Sequence, residues 1–223
     1  MIREIITTSD GSSTIRLPEV DEHYHSKHGA IQEAQHVFIK NGLERLSQKK
    51  ARILEIGYGT GLNALLTALY AEEQLLEIDY TGVEAYPIET AEHRAMNYPE
   101  LLDTPAAKPI FEKLFEAEWE QAKTISSYFK LTKRKLLFEQ IEFKGAFDLI
   151  YFDAFGYRVQ PDLWSADIFS RMYQALDSEG ILVTYAARSV IKRNLESVGF
   201  QVQKVPGPPG KREMFVVYKR SKL

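Results

Sequence analysis

Three observations predict an α/β fold whose mainly parallel sheet ends in an antiparallel hairpin. From residue 46 onward apolar strand patterns alternate with helical periodicities, which calls for parallel strands, right-handed crossovers and ligands at the strands' carboxyl ends. The strand Ala51-Arg-Ile-Leu-Glu-Ile56 stops at Gly57, Gly59 and Gly61 and gives way to the helical stretch Leu62–Tyr70. Near the end of the chain, the strand patterns Phe200–Val205 and Glu213–Lys219 are joined by a loop containing Pro206-Gly-Pro-Pro-Gly210. So short a connection requires antiparallel pairing, because a parallel crossover takes roughly a dozen residues or more.

The elements follow in order. Residues 2–20 read as a β-hairpin around the turn Ser9-Asp-Gly-Ser12, a small amino-terminal extension. Tyr24–Ala30 is a loop into a helix whose Ile31, Ala34, Val37 and Phe38 share one face. After the glycine turn comes the strand Ile78-Asp-Tyr-Thr-Gly-Val83, closed by Glu84. A helix is expected around Pro87–Asn97, a polar helical region at Ile110–Phe129 and a short strand at Lys135–Gln140. The apolar strand Phe147–Phe152, a helix at Ser165–Leu176, a strand at Gly180–Ala186 and a helix at Ser189–Val198 complete the alternation. With 223 residues and no Gly/Ser- or Pro-rich linker, one domain is expected, residues 1–45 forming the extension and 46–223 the core.

Composition narrows the function. A net charge of −3 argues against a protein that coats nucleic acid, leaving only local basic clusters: Lys130 with Lys133, Arg134 and Lys135; Arg188 with Lys192 and Arg193; Lys211 with Arg212. Each is either a solvated face or a local contact for phosphates. The absence of cysteine excludes disulfides, thiol nucleophiles and cysteine zinc sites. No run approaches the roughly 20 apolar residues that span a bilayer, and the amino terminus lacks a signal-peptide core, so a soluble, cytoplasmic chain without membrane contact is expected.

The glycine spacing is G-x-G-x-G rather than the dinucleotide G-x-G-x-x-G, since Thr60 and Leu62 flank Gly61. Glycine admits both the positive φ of a tight turn and a ligand lying against bare backbone. The altered spacing favours S-adenosylmethionine (SAM), which has no pyrophosphate. Glu84, a little over 20 residues beyond the glycines at the end of the next strand, is placed to accept ribose hydroxyls. Asp153, delivered by the strand Phe147–Phe152 to the same edge, is the catalytic candidate. An amine meeting a sulfonium must shed a proton, which a carboxylate can receive while offsetting the positive charge. An aspartate merely capping the next turn is the structural alternative.

A parallel sheet finishing in an antiparallel hairpin is similar to SAM-dependent methyltransferases of the Rossmann-like class. More specifically, the chain resembles the methyltransferase domain of the bifunctional tRNA wobble-uridine modification enzymes MnmC. The matching segments are Tyr24-His-Ser-Lys-His-Gly-Ala30 with Glu33 and His36-Val-Phe38; Leu54-Glu-Ile-Gly-Tyr-Gly-Thr-Gly-Leu-Asn63; Asp153-Ala-Phe155 with Pro161-Asp-Leu-Trp164 and Phe169; and Gly199-Phe200 with Gly210-Lys-Arg-Glu-Met214. The resemblance implies SAM-dependent methylation of the exocyclic amine of 5-aminomethyl-(2-thio)uridine in tRNA, with Asp153 as base and neither metal nor flavin. It places Glu55, Gly57, Gly59, Gly61, Asn63, Glu84 and Asp153 at the cofactor. Glu139 is the one acid between Lys135 and Gln140 that could meet the adenine amine. Three departures stand out: Gly156-Tyr157 replaces the usual Ala-Pro, the adenine contact is unassigned, and no flavin oxidase domain is expected in these 223 residues, so the amine is expected to be made elsewhere, a separate oxidase or tRNA-modifying complex being the candidate source.

Several residues carry two readings. Tyr24, Ser26 and His28 either close over the methionine end of SAM or the entering base, or are ordinary loop residues. His36 is expected as a packed core histidine, and His23, His25 and His28 lack metal-ligand spacing. Phe155 is assigned to stacking on a splayed uridine and Trp164 to the core. Lys211 and Arg212, with Arg158 and Arg188 as weaker candidates, are expected to meet tRNA phosphates. The rival enzyme class is aminopropyl transfer to an amine or another small-amine methylation, the former calling for extra acids to hold a polyamine. A non-enzymatic rival is an RNA-binding module on a degenerate methyltransferase fold, against which the intact glycines, Glu84 and Asp153 speak.

Overall fold

The computed structural model describes residues 2–219. An eight-stranded sheet is built from β4 (Lys50–Ile56), β5 (Glu77–Val83), β6 (Ala122–Thr124), β7 (Phe129–Arg134), β8 (Phe147–Phe152), β9 (Leu176–Thr184), β10 (Gln201–Pro206) and β11 (Glu213–Tyr218), in the spatial order β10-β11-β9-β8-β4-β5-β7-β6. The inner strands β9, β8, β4, β5 and β7 are parallel, β11 and β10 pair antiparallel beyond β9, and β6 runs antiparallel along the opposite edge. The expected class, a Rossmann-like α/β sheet ending in an antiparallel hairpin, is the one observed.

Both faces of the central strands are covered, which is why β4 and β8 read as nearly continuous apolar runs. Ile53, Leu149 and Tyr151 join a core beneath helices α1 (Ala30–Ala34, continued as a wider π-helical stretch over Gln35–Lys40), α2 (Leu62–Gln74) and α5 (Ala107–Glu116). Leu54, Ile56, Ile150 and Phe152 point the other way, into a core under α6 (Ala166–Ala175) and α7 (Ser189–Ser197). The short helices α3 (Thr90–Arg94) and α4 (Tyr98–Leu101) follow β5. The amino-terminal hairpin, β1 (Glu4–Thr7) with β2 (Ser13–Leu17), gains a third strand, β3 (Glu22–His23). Its Ile15 and Leu17 pack into the same core as α2.

The segment between α5 and β8 departs from expectation. The predicted helical region 110–129 ends at Glu116: Ala117 leaves the helical region of backbone space, Glu120 takes a φ of +64°, and edge strand β6 follows. The strand expected at 135–140 lies earlier, as β7, and Phe138–Gln140 is a single 3-10 turn. Phe129, Leu131 and Lys133 are the inward positions of β7, and a lysine in the third of them hides the alternation. Lys133 is buried, donates to the Phe115 carbonyl at 2.8 Å and lies 5.0 Å from the centre of the Trp119 ring. Its pKa falls to about 8 through burial, so the cluster Lys130–Lys135 is not one solvated face. Strand β9 also starts before Gly180, at Leu176, with a register shift against β8 between Phe147 and Leu149.

Glycine 82 sets how closely the turn after β4 can approach β5. A Cβ there would lie 2.2 Å from the ring of buried Tyr58. Gly82→Ala should therefore destabilise the protein by about 1–3 kcal/mol through overpacking, lowering the melting temperature by roughly 2–4 °C per kcal/mol in scanning calorimetry.

Candidate active site

The carboxyl ends of β4, β5 and β8 meet at one edge of the sheet. Gly57, Gly59 and Gly61 have φ of +88°, +51° and +79°, so the turn that leads from β4 to α2 has a backbone L side chains rarely adopt. The turn is pinned to β5 because the Gly57 and Tyr58 N–H groups both donate to the Val83 carbonyl, each at 3.0 Å. It is pressed against β8 as well: a Cβ on Gly57 would stand 2.6 Å from the Asp153 carbonyl oxygen. Glu84 closes the far side, one carboxylate oxygen accepting the Gly59 N–H at 3.0 Å and the other the Tyr86 N–H at 2.9 Å.

Between these strand ends lies a cleft of about 250 Å³. Gly57, Gly59, Glu84 and Asp153 form its polar side, while Ala85, Leu137, Phe138 and Leu163 give an apolar wall. Tyr24 and Phe155 meet over it edge to face, with centroids 5.2 Å apart. Trp164 is fully buried under α6 and donates its Nε1–H to the Phe155 carbonyl at 2.8 Å, fixing the loop that carries Phe155. His25 borders the cleft with its Nε2 3.0 Å from the Thr60 hydroxyl, and burial lowers its pKa to about 4, so it is neutral near pH 7.

Asp153 is held from behind. The Asn63 amide donates to Asp153 Oδ2 at 2.9 Å and also to Glu55 Oε1 at 2.8 Å, while the Tyr80 hydroxyl donates to Glu55 Oε2 at 2.8 Å. Burial pushes the Glu55 carboxyl well above the ordinary carboxylate range. Asp153 is raised to about 7, chiefly by burial and then by the charge of Glu33, against the lowering influence of the Asn63 hydrogen bond and Lys211. A carboxylate poised there can take up and release a proton near neutrality.

A family of S-adenosyl-L-methionine-dependent methyltransferases matches residues 106–220. The chain belongs to this family. It is 29% identical over 219 residues to the tRNA 5-methylaminomethyl-2-thiouridine biosynthesis bifunctional protein MnmC of Burkholderia multivorans, covering 91% of this chain and 33% of that protein. The chain thus spans about a third of the length of the curated relatives it matches. A crystal structure of MnmC2 from Aquifex aeolicus superposes with a TM-score of 0.79 at 26% identity, over 99% of this chain and 71% of that one. Spermidine synthase from Thermotoga maritima shares the fold, with a TM-score of 0.52 at 11% identity over 99% of this chain and 72% of that one. The resemblance to the MnmC methyltransferase domain is thereby borne out, and with it SAM as the cofactor.

For this methyltransferase the glycine turn is a cradle that any side chain would fill, and the Glu84 carboxylate, with about four lone-pair directions and two in use, retains acceptors for two ribose hydroxyls. Of the expected cofactor residues, Tyr24, Gly57, Gly59, Glu84, Glu139 and Asp153 line the cleft, as does Phe155. Glu55 and Asn63 stand behind it, buried, and Gly61 lies on the far side of the turn. Ser26 lies in a second cavity, of about 380 Å³, that shares Tyr24, His25 and Ala154 with the cleft. Arg158, Arg188 and Arg212 are exposed around a third, shallow cavity of about 540 Å³, with Arg188 5.8 Å from the Tyr157 ring centre. Lys211 turns inward instead and pairs with buried Glu33. The apolar wall Ala85, Leu137, Phe138 and Leu163 carried no signal beyond ordinary core hydrophobicity, and His25 none beyond the quoted loop motif.

Two substitutions test the cradle. Glu84→Ala should weaken SAM binding by about 1.5–3 kcal/mol in isothermal titration, the loss of charged hydrogen-bond acceptors. Gly59→Val should abolish it, since the first atom of a side chain would already stand 3.3 Å from the Tyr24 ring at an unfavourable φ. Wild-type affinity in both would remove the site.

Proposed function

We propose that the chain methylates the exocyclic amine of 5-aminomethyl-(2-thio)uridine at the wobble position of tRNA, giving 5-methylaminomethyl-(2-thio)uridine. The observation that carries this reading is Asp153, a carboxylate raised to about 7 at the lip of the cofactor cleft, next to aromatic Phe155. The MnmC relatives, named for tRNA 5-methylaminomethyl-2-thiouridine biosynthesis, support the same substrate. Such an acceptor is a tRNA, and the reaction belongs in the cytoplasm. Its free amine must be produced by a preceding modification step.

The Gly57–Gly61 turn, Glu84 and the apolar wall would hold SAM, which when bound supplies an electrophilic methyl group. The acceptor reaches neutral pH mainly as an ammonium and has no lone pair. Ionised Asp153 takes one of its protons, freeing the nitrogen lone pair that would accept the methyl group SAM supplies, with the thioether as leaving group. The methylated amine leaves as a cation with its remaining protons, and Asp153 returns its proton to water. Because the carboxylate titrates near neutrality rather than near 4, it is both ionised enough to act and basic enough to accept. Asn63 keeps Asp153 Oδ2 occupied, leaving Oδ1 for the acceptor. Phe155 and Tyr24 offer aromatic faces to an unstacked base. The aminopropyltransferase reading has no comparable support, since the spermidine synthase likeness extends to the fold alone.

Asp153→Asn should keep SAM affinity and lower methylation of tRNA carrying the aminomethyl group by about 10²-fold or more, with partial recovery at high pH where the amine is already neutral. In the wild type kcat should rise with pH through a midpoint near 7, because the active form of the base is the deprotonated one. Near-normal turnover of the variant at neutral pH would sink the assignment. For the tRNA contact, each neutralisation among Arg158, Arg188 and Arg212 should reduce the log–log salt slope of tRNA binding by about one without altering SAM affinity, measured by filter binding.

A further inference from the structure

Lys211 ties together three segments around the acceptor side of the site. Its ammonium pairs with the carboxylate of Glu33 on α1 and lies 4.0 Å from the centre of the Tyr185 ring, just beyond β9. The other Glu33 oxygen accepts the Ser26 N–H at 3.1 Å, anchoring the loop that carries Tyr24 and His25. The Tyr185 hydroxyl donates to the carbonyl of Ala154, the residue after Asp153, at 2.8 Å. All of these groups border the cavity that shares Tyr24, His25 and Ala154 with the cofactor cleft. The β10–β11 loop is seated against the same wall: a Cβ on Gly210, at φ +83°, would stand 2.3 Å from the His28 ring.

We propose that the Lys211–Glu33 pair is a positioning device for Asp153: it presents a neutral charge pair beside the base, so that the base is neither deprived of its proton affinity nor locked in its protonated form. This rests on the methyl-transfer reading of the same site. Glu33 alone disfavours ionisation of Asp153, and Lys211 alone favours it. The other groups that face Asp153 are accounted for. Glu55 on β4, held toward its protonated form by burial, shares with it the Asn63 amide, which donates a hydrogen bond to each; Tyr185 is coupled to it electrostatically, and Glu84, His25 and Glu139 border the same cleft. Lys211 is the cation that tempers this acidic surround, which is why it faces inward rather than toward phosphates.

The experiment is the pH dependence of kcat on aminomethyl-bearing tRNA for the wild type, Lys211→Met, Glu33→Gln and the double variant. Lys211→Met strands the Glu33 carboxylate beside the base, so the rising limb should move up by about one pH unit, reducing kcat at the wild-type midpoint roughly fivefold. Glu33→Gln strands the ammonium, and the limb should move down by a similar amount. The double variant should return close to the wild-type midpoint. A merely structural pair would move neither limb, or both the same way, and either result overturns the proposal. The same four proteins are titrated with sinefungin, a SAM analogue bearing an amine where SAM carries its methyl sulfonium, and the pH dependence removed by Asp153→Asn is taken as the readout of Asp153. Opposite displacements with sinefungin but no turnover of the tRNA would uphold the pair's role and reject the tRNA substrate. Coincident sinefungin midpoints would reject the pair's role whatever the substrate.

Discussion

The site depends on one amide. Asn63, in the first turn of α2, spends its Nδ2 hydrogens on two carboxylates, Glu55 at the end of β4 and Asp153 after β8. Two acids on neighbouring parallel strands, both largely removed from water, would otherwise repel each other and the residues around them. The amide spans them, and it can do so only because the glycine turn is short enough to start α2 immediately above both strand ends. Tyr80, donating from β5 to the second Glu55 oxygen, completes the arrangement across three adjacent strands. The same close approach that excludes a side chain at Gly57 thus brings the glycine turn and the proposed catalytic carboxylate within one hydrogen-bonded unit.

That unit is held against stability. A carboxyl group raised from an unfolded value of 3.8 to about 7 binds protons more tightly in the native state, so the native state loses stability as pH climbs from below 4 to above 7. The cost falls on the folded scaffold and is offset elsewhere. Fully covered faces of the sheet, with Ile53, Leu54, Ile150 and Phe152 at zero exposure, supply the rigidity that keeps the acids in place. Arg52, at the opposite end of β4, ties that strand to Asp148 and Asp177 at 2.7 Å each, where charges are partly exposed and well paired. The ends of the sheet therefore differ in kind: one carries matched surface ion pairs, the other a concentration of acids with little compensating charge.

Much of this was legible in the residues because the signals are local. A strand followed by alternating glycines, an acid ending the next strand and an acid ending the strand after that need only strand pairing to converge, and Gly57, Gly59, Glu84 and Asp153 do line one cleft. The terminal hairpin was legible because its loop is too short for any other pairing. What was not legible depends on tertiary contacts. Lys133 is charged yet occupies a core position of β7, supported by the Phe115 carbonyl and the Trp119 ring, so the alternation that would mark the strand Phe129–Arg134 is hidden in the sequence. Lys211 has the neighbours of a surface lysine in sequence and the partner of a buried one in space, since Glu33 lies 178 positions away. Glu55 and Asn63 sit in a recognisable motif, but their role as a link to Asp153 appears only once β4 and β8 are adjacent.

The charge problem explains the placement of Lys211. The proposed reaction brings two cations to one carboxylate, a sulfonium-bearing cofactor and an ammonium-bearing base, and an unpaired lysine facing Asp153 would repel both. A site with acids alone would attract them but would leave Asp153 protonated at neutral pH, unable to accept anything. Pairing the lysine with a carboxylate on a different element resolves the conflict, because the ammonium tempers the acids over a short range while the pair as a whole carries no net charge toward the incoming cations. The exposed Arg158, Arg188 and Arg212 stand around the shallow cavity that Lys211 and Tyr185 also border, where positive charge would be available to phosphates. An inward-paired lysine with exposed arginines nearby would let a chain of net charge −3 receive a polyanion at its rim and a cation at its centre.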